Sequence, residues 1–289
     1  KKAVTAKTAT QDLLQSLSDA SGESTGHATG FVELDYMIGG LESGQLAVVA
    51  ARPSMGKTAF AVNVITHIAK TTQKPAVLFS LEMETRSITR RIVAAEAGVS
   101  VGALKSRQLD ERDWMRLTPA IATMNTLPLV IDDRSALTVA DIRTQANKTR
   151  REMGELSCIM IDYLQIMGGL GSENRVVTIG QVTSSLKALG KELGCPVIVL
   201  SQLSRKVEER KDKRPMMSDL RESGTIEQDA DLIMFLYRDE YYDKNSKQAG
   251  LAEVIVAKQR DGVTGTAVLG FEGQYSRFYN HVGGSYGDE

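Results

Sequence analysis

Apolar residues gather into short runs along the chain, and between the first five runs the pattern changes to a helical period. The runs are LAVVAA (46–51), AVLFS (76–80), LPLVIDD (127–133), CIMID (158–162), PVIVLS (196–201), DLIMFLY (231–237) and AEVIVAK (252–258). Helical patterns occupy 57–70, 86–97, 110–124, 138–153 and 174–193. A strand that is apolar throughout, rather than at alternate positions, is covered on both faces. Such strands separated by helices predict an α/β domain with a largely parallel central sheet flanked by helices. The late runs lie closer together. DGVTG (261–265), between AEVIVAKQR and TAVLGF, predicts a C-terminal β-hairpin.

The first 29 residues have another character. Leu13, Leu14 and Leu17 in ATQDLLQSLSDA form a narrow apolar stripe at helical spacing, and SGESTGHATG after them reads as linker. A short helix with nothing of its own to pack on is expected to dock elsewhere. The organisation expected is a linker segment over 1–29 and one α/β domain over 30–289. The chain opens KKAV without an initiator Met, which suggests a fragment or a processed chain.

Composition narrows the function classes. Hydrophobic residues make up 42% and charged residues 25%, an ordinary balance for a chain with a sizeable core. With 35 basic and 36 acidic residues the net charge is −1, so any nucleic-acid site must be a local patch. Cys158 and Cys195 each open an apolar run and read as small buried hydrophobes. His27, His67 and His281 are too scattered for a His-rich metal site. Without an apolar run near the roughly 18 residues of a membrane span, and without a visible signal peptide, a cytoplasmic protein with no membrane partner is expected.

AARPSMGKT (50–58) sits between a strand and a helix, the setting of a phosphate-binding loop. Ser54, Met55, Gly56, Lys57, Thr58 and Ala59 would line a nucleotide's phosphates. Gly56 permits close backbone approach, Lys57 reaches the β/γ-phosphates, and the Thr58 hydroxyl is a Mg²⁺ ligand. The free N–H groups and positive end of the following helix favour an anion. Where the usual pattern begins with glycine this chain has Ala51, which is tolerable if φ stays negative there. Three strand ends supply further chemistry. Asp162 ends CIMID and can hold the Mg²⁺ shell. Glu82 and Glu84 follow AVLFS; either could serve as the base that deprotonates water, and Glu82 is the choice. Gln202, after PVIVLS, offers a neutral amide to the γ-phosphate or the attacking water. The cofactors expected are ATP and Mg²⁺. SRKVEERKDKR (204–214) carries six basic and three acidic residues, a local net of +3.

These blocks, with TGFVELDYMIGGLESGQLAVVAARPSMGKTAFA, FSLEM, IMIDYLQIM, KRPMMSDLRESGTIEQDADLIMFLYRDEYY and VAKQRDG, resemble the C-terminal motor domain of the replicative hexameric DNA helicases, the DnaB family. The likeness runs from about Gly30 to Asn280. It implies a RecA-like fold, and ARPSMGKT is a normal form of the loop in that family. It assigns Glu82 as catalytic glutamate, and Lys258 and Arg260 as fingers that reach a neighbouring subunit's ATP. It implies that Arg221, Glu222 and Gly224 track the backbone of single-stranded DNA. Arg205, Lys206, Arg210 and Lys213 in the basic segment, and the Gly-rich stretch 168–175, are further candidates for the DNA channel. Tyr237 and Arg238 are placed beside the nucleotide base. Residues 11–20 would be a linker helix that packs on the adjacent motor domain. The family also implies a homo-oligomer, a hexamer, with primase and a helicase loader as partners of the full-length protein. Two rivals share the loop: a RecA-like ATPase that binds single strands without unwinding, and a scaffold that assembles but hydrolyses little.

Overall fold

The structure, a computed structural model, describes residues 4–8, 10, 11, 14, 26–162, 164, 175–220, 223–260 and 262–281. Among the described residues the frame is one sheet of nine strands. These are β1 (Leu46–Ala51), β2 (Ala76–Ser80), β3 (Leu129–Asp132), β4 (Cys158–Asp162), β5 (Val197–Gln202), β6 (Leu232–Tyr237), β7 (Leu251–Gln259), β8 (Gly265–Glu272) and β9 (Arg277–Asn280). The order across the sheet is β3-β2-β4-β5-β1-β6-β7-β8-β9. The first six run parallel, and β7, β8 and β9 add on antiparallel. The expected hairpin is the β7–β8 pair; β9 was not anticipated.

The helices are α1 (Val32–Ile38), α2 (Lys57–Thr72), α3 (Thr85–Ala97), α4 (Val101–Ser106), α5 (Glu111–Thr126), α6 (Val139–Met153), α7 (Arg175–Leu193), α8 (Ser223–Asp229) and α9 (Asp239–Tyr242). Alternation along β1 explains the layers. Ala47, Val49 and Ala51 face a core built with α1, α2 and α3, while Leu46, Val48 and Ala50 face one built with α6, α7 and α8. Every β1 residue is therefore buried, as a continuous apolar run requires. A third, smaller cluster joins α3 to α5 through Ala97, Val99, Leu117 and Ala120.

Local signals set several helix starts. Asp110 and Thr138 each accept from the backbone N–H three residues on, and Asp113 and Asp141 return the bond, giving two capping boxes. Helix α1 has no side-chain cap and only seven residues, so its sequence carries little signal.

In the lead segment 6–8, 10, 11 and 14 are helical, and the Leu14 side chain is exposed. Leu13, Leu17 and most of 11–20 lie outside the described residues. Residues 26–29, read as linker, are built into the domain. His27 and Leu41 exchange backbone bonds of 2.9 and 2.8 Å, and the buried Thr29 hydroxyl donates to Asp35 Oδ1 at 2.7 Å. Both cysteines are free and buried, and burial pushes both thiols up, Cys195 to about 12.

Candidate nucleotide site and nucleic-acid interface

Parallel strands put their C-terminal tips on one edge, and the site lies there. Ala51 is the last residue of β1, paired with Gln202 and Leu236. It is extended backbone, so the position has no need of glycine. The turn comes later, where Ser54 (φ 67°) and Gly56 (φ 95°) both take left-handed conformations. Space also demands Gly56: a Cβ there would stand 3.0 Å from the Phe278 ring and 3.2 Å from the Phe271 ring. Helix α2 begins at the next residue and has no acidic group in its first turn. Its N-terminal N–H groups therefore face the cavity without a competing carboxylate from that turn.

The cavity has a volume of about 330 Å³ and is lined by 51–54, 56–59, Glu82, Arg91 and Gln202. So Ser54, Gly56, Lys57, Thr58, Ala59, Glu82 and Gln202 meet around one space. Met55 sits in the loop with its side chain buried in the core, leaving only backbone for a ligand. The two glutamates after β2 separate: Glu82 faces the phosphate cavity, and Glu84 lines a groove beside α3 and α5.

Below Lys57 lies Asp162, at the tip of β4 and almost fully buried. Its Oδ2 accepts the Thr58 hydroxyl at 2.8 Å, and its Oδ1 is 3.9 Å from Lys57 Nζ. Oδ1 accepts no hydrogen bond. Burial holds the Asp162 carboxyl above the usual range against the pull of Lys57, the Thr58 bond and Arg91. Burial likewise lowers Lys57, against Asp162 and Glu82. In both groups burial outweighs the attraction of the opposite charges nearby. A hydroxyl beside a carboxylate oxygen with an open acceptor position is a donor set that suits Mg²⁺, and an ammonium lining the same cavity suits phosphate.

Two arginines enter that the sequence reading had not singled out for the site. Arg91 of α3 lines the cavity, and burial lowers its pKa against the attraction of Asp162 and Glu82. It shares the inner side of α3 with Ile88, three residues earlier, and that spacing was the available signal. Arg52 donates Nε to Glu208 and Nη1 to the Leu203 carbonyl, each at 2.9 Å.

The remaining expected residues lie elsewhere. Tyr237 is core: its hydroxyl donates to Asp239 at 2.8 Å and its ring stacks on Tyr242. Arg238 braces the loop. It donates to the Ser54 carbonyl at 3.2 Å, pairs with Glu240 and lies over the Phe271 ring. Arg205 and Lys206 are exposed on a 3₁₀ turn (Arg205–Glu209). Arg210 is engaged within the chain, its fork held by both oxygens of Asp219 at 3.0 and 2.7 Å. The Lys213 ammonium lies 4.9 Å from the Tyr242 ring centre. Gly224 faces open space. Arg221, Glu222 and residues 168–174 lie outside the described residues, as does the Arg175 side chain. Lys258 and Arg260 sit at the opposite end of the sheet from the phosphate loop. They lie at and just past the end of β7, whose Gln259 pairs with Leu232, and Leu232 pairs with Ala47 at the start of β1.

Comparison with known proteins bears on this arrangement. The pattern of the DnaB-like helicase C terminal domain matches residues 26–280. The chain belongs to that family. It is 46% identical over 273 residues to the replicative DNA helicase DnaB of Geobacillus stearothermophilus, covering 94% of this chain and 60% of the relative. It is 49% identical over 272 residues to DnaB of Haemophilus influenzae, covering 93% and 58%. The chain thus spans about three-fifths of the length of these DnaB relatives. Among solved structures, the ATPase domain of G40P superposes with a TM-score of 0.92 at 39% identity, over 97% of this chain and all of that one. A DnaB-like replicative helicase, described with its interactions with primase, gives 0.88 at 39%, over 97% and 68%. The fold is therefore the RecA-like one expected of a DnaB motor domain. These relatives are named replicative DNA helicases. Among the described residues, no helix is long and apolar enough to cross a membrane.

Proposed function

We propose that this chain is the motor of an ATP-dependent, ring-shaped DNA helicase that moves along single-stranded DNA and separates duplex at the replication fork. The observation that carries this reading is the Thr58–Asp162 pair beneath the phosphate loop, with Glu82 beside the same cavity. Backbone N–H groups of the loop and Lys57 would hold the β/γ-phosphates of ATP. Thr58 and Asp162 would hold Mg²⁺, which when bound offsets the phosphates' negative charge. Glu82 takes the proton from the attacking water as its oxygen bonds to phosphorus, and the bond to the leaving ADP oxygen breaks. Gln202 orients the γ-phosphate or that water.

Lys258 and Arg260 lie too far from their own loop to serve it, which favours action on a neighbouring subunit's site. A homo-oligomer, a hexamer in the family's manner, then follows. Arg205 and Lys206, with Arg221, Glu222 and Gly224, would meet the DNA backbone in its channel. Arg210 and Lys213 would shape that segment more than neutralise phosphate. The lead helix, the linker of the proposed domain organisation, would dock on a neighbour. A groove of about 950 Å³ between α3, α4 and α5, with Trp114 and Ile121 exposed in it, would receive it. Primase and a loader are partners proposed for the full-length protein, acting in the cytoplasm.

The test is ATP hydrolysis per subunit against protein concentration, with and without single-stranded DNA, beside a strand-separation assay. Rates that rise with both, and strand separation abolished by Lys57→Ala, are expected. Unwinding that survives Lys57→Ala overturns the reading.

A further inference from the structure

Asp231 stands between α8 and β6 and joins four parts of the chain. Its backbone carbonyl accepts from the Arg260 N–H at 2.9 Å, and its Oδ1 accepts from the Arg260 guanidinium at 3.1 Å. The same Oδ1 accepts from Lys187 of α7 at 2.6 Å. Its Oδ2 accepts from the Leu46 N–H at 3.0 Å, and its own N–H donates to the Leu46 carbonyl at 2.9 Å. Asp231 is 13% exposed and Lys187 14%, whereas Arg260 is 54% exposed. An exposed guanidinium is therefore tethered at root and tip to one nearly buried residue.

We propose that Asp231 is a positioning residue for Arg260, with Lys187 holding the carboxylate in place. The inference rests on the trans-finger reading above. An arginine that must meet a neighbour's phosphates loses rate if its side chain samples many directions. The tether restricts it. Lys187 also donates to the Asp229 carbonyl at 2.8 Å, and Thr183 donates to Asp229 Oδ2 at 2.7 Å, so α7 and the end of α8 are locked together. Lys258 adds to this lock by donating to the Glu227 and Ala230 carbonyls at 2.5 and 2.7 Å. Leu46 begins β1, the strand that ends in the phosphate loop. The finger offered to one neighbour is thus fixed to the rod that bears the subunit's own nucleotide site.

The experiment mixes variant subunits before assembly on single-stranded DNA and follows ATP hydrolysis. Asp231→Asn alone should lower kcat by about ten- to a hundredfold at unchanged KM, the scale of a catalytic group misplaced by about an ångström. Mixing it with Lys57→Ala subunits, whose own sites are dead but whose fingers are intact, should raise the rate per Asp231→Asn subunit. Arg260→Ala mixed with Lys57→Ala is the control. If that control shows no rescue, the trans-finger reading fails. If the control is rescued and Asp231→Asn is not, its defect lies in its own site and the positioning role is overturned. A rate that rises in Asp231→Asn alone also overturns it. Lys187→Gln, which leaves Asp231 and Arg260 intact, is the second variant should Asp231→Asn not fold. A smaller loss, rescued in the same mixture, is expected, and a loss without rescue overturns the role.

Discussion

The guanidinium of Arg52 donates to Glu208 across 2.9 Å, tying the phosphate loop to the basic segment that follows β5. Its second bond, to the Leu203 carbonyl, fixes the same loop to the residue after Gln202. Arg52→Ala should therefore destabilise the chain by about 1–3 kcal/mol, the loss of hydrogen bonds from a buried charged group. It should show as a lower urea midpoint at unchanged slope. Nucleotide affinity should fall too, since the loop loses its brace. Glu208→Gln, which keeps an acceptor oxygen, should cost less.

The two glutamates after β2 give a sharper contrast. Glu82→Gln should reduce ATP turnover by about 10²–10⁴-fold, the range for losing a general base. Glu84→Gln should leave turnover within about twofold, because Glu84 lines a different groove and not the phosphate cavity. Steady-state hydrolysis of both variants under saturating ATP distinguishes them. Equal losses would remove the base assignment.

Asp162 predicts a pH dependence of opposite sign to that of an ordinary paired carboxylate. Burial raises its folded pKa above the ordinary 3.8. The folded state then holds the proton more tightly, and the group's contribution to stability is fully present below 3.8 and lost as pH rises through the raised value. Relative to Asp162→Asn, the nucleotide-free wild type should gain stability as pH falls from neutral into the carboxylate range. Urea unfolding of both proteins across that range checks it. A relative loss on acidification would mean that Lys57 and Thr58 outweigh burial.

Arg91 should matter for nucleotide binding. Its guanidinium lines the cavity in a partly buried setting, where a hydrogen bond to a charged partner is worth about 1.5–3 kcal/mol. Arg91→Ala should weaken ATP binding by about ten- to a hundredfold, measured by competition with a fluorescent nucleotide. Arg86→Ala, on the same helix but lining the α3–α5 groove, should leave affinity unchanged.

What the sequence disclosed follows from the range of each interaction. β1 and β5 were legible because continuous apolar runs require cover on both faces. The nucleotide loop was legible because its residues are consecutive. Asp162 was placed by its strand, since parallel strands align their ends and so bring Thr58 and Asp162 together from 104 residues apart. The pairing of Arg210 with Asp219 was not legible because the two lie across a turn, and a pair of charges in sequence does not announce that both oxygens will face one guanidinium. Arg91 stood among three arginines of α3, and only its place three residues after the buried Ile88 distinguishes it. Tyr237 was placed beside the nucleotide base, whereas strand β6 buries all its side chains between two layers.

The aromatic floor beneath Gly56 has a temporal meaning. Phe278, in the last strand, sits under the phosphate loop, and its backbone N–H donates to Asn63 of α2, 215 residues earlier, at 2.8 Å. On a ribosome the loop is made early and its support late. A nascent chain stalled before β9 would carry every phosphate-contacting residue and Phe271, yet still lack the Phe278 ring that completes the floor beneath them. Competence to hold nucleotide is therefore expected near the end of synthesis of this domain, when the contact between β9 and α2 can form.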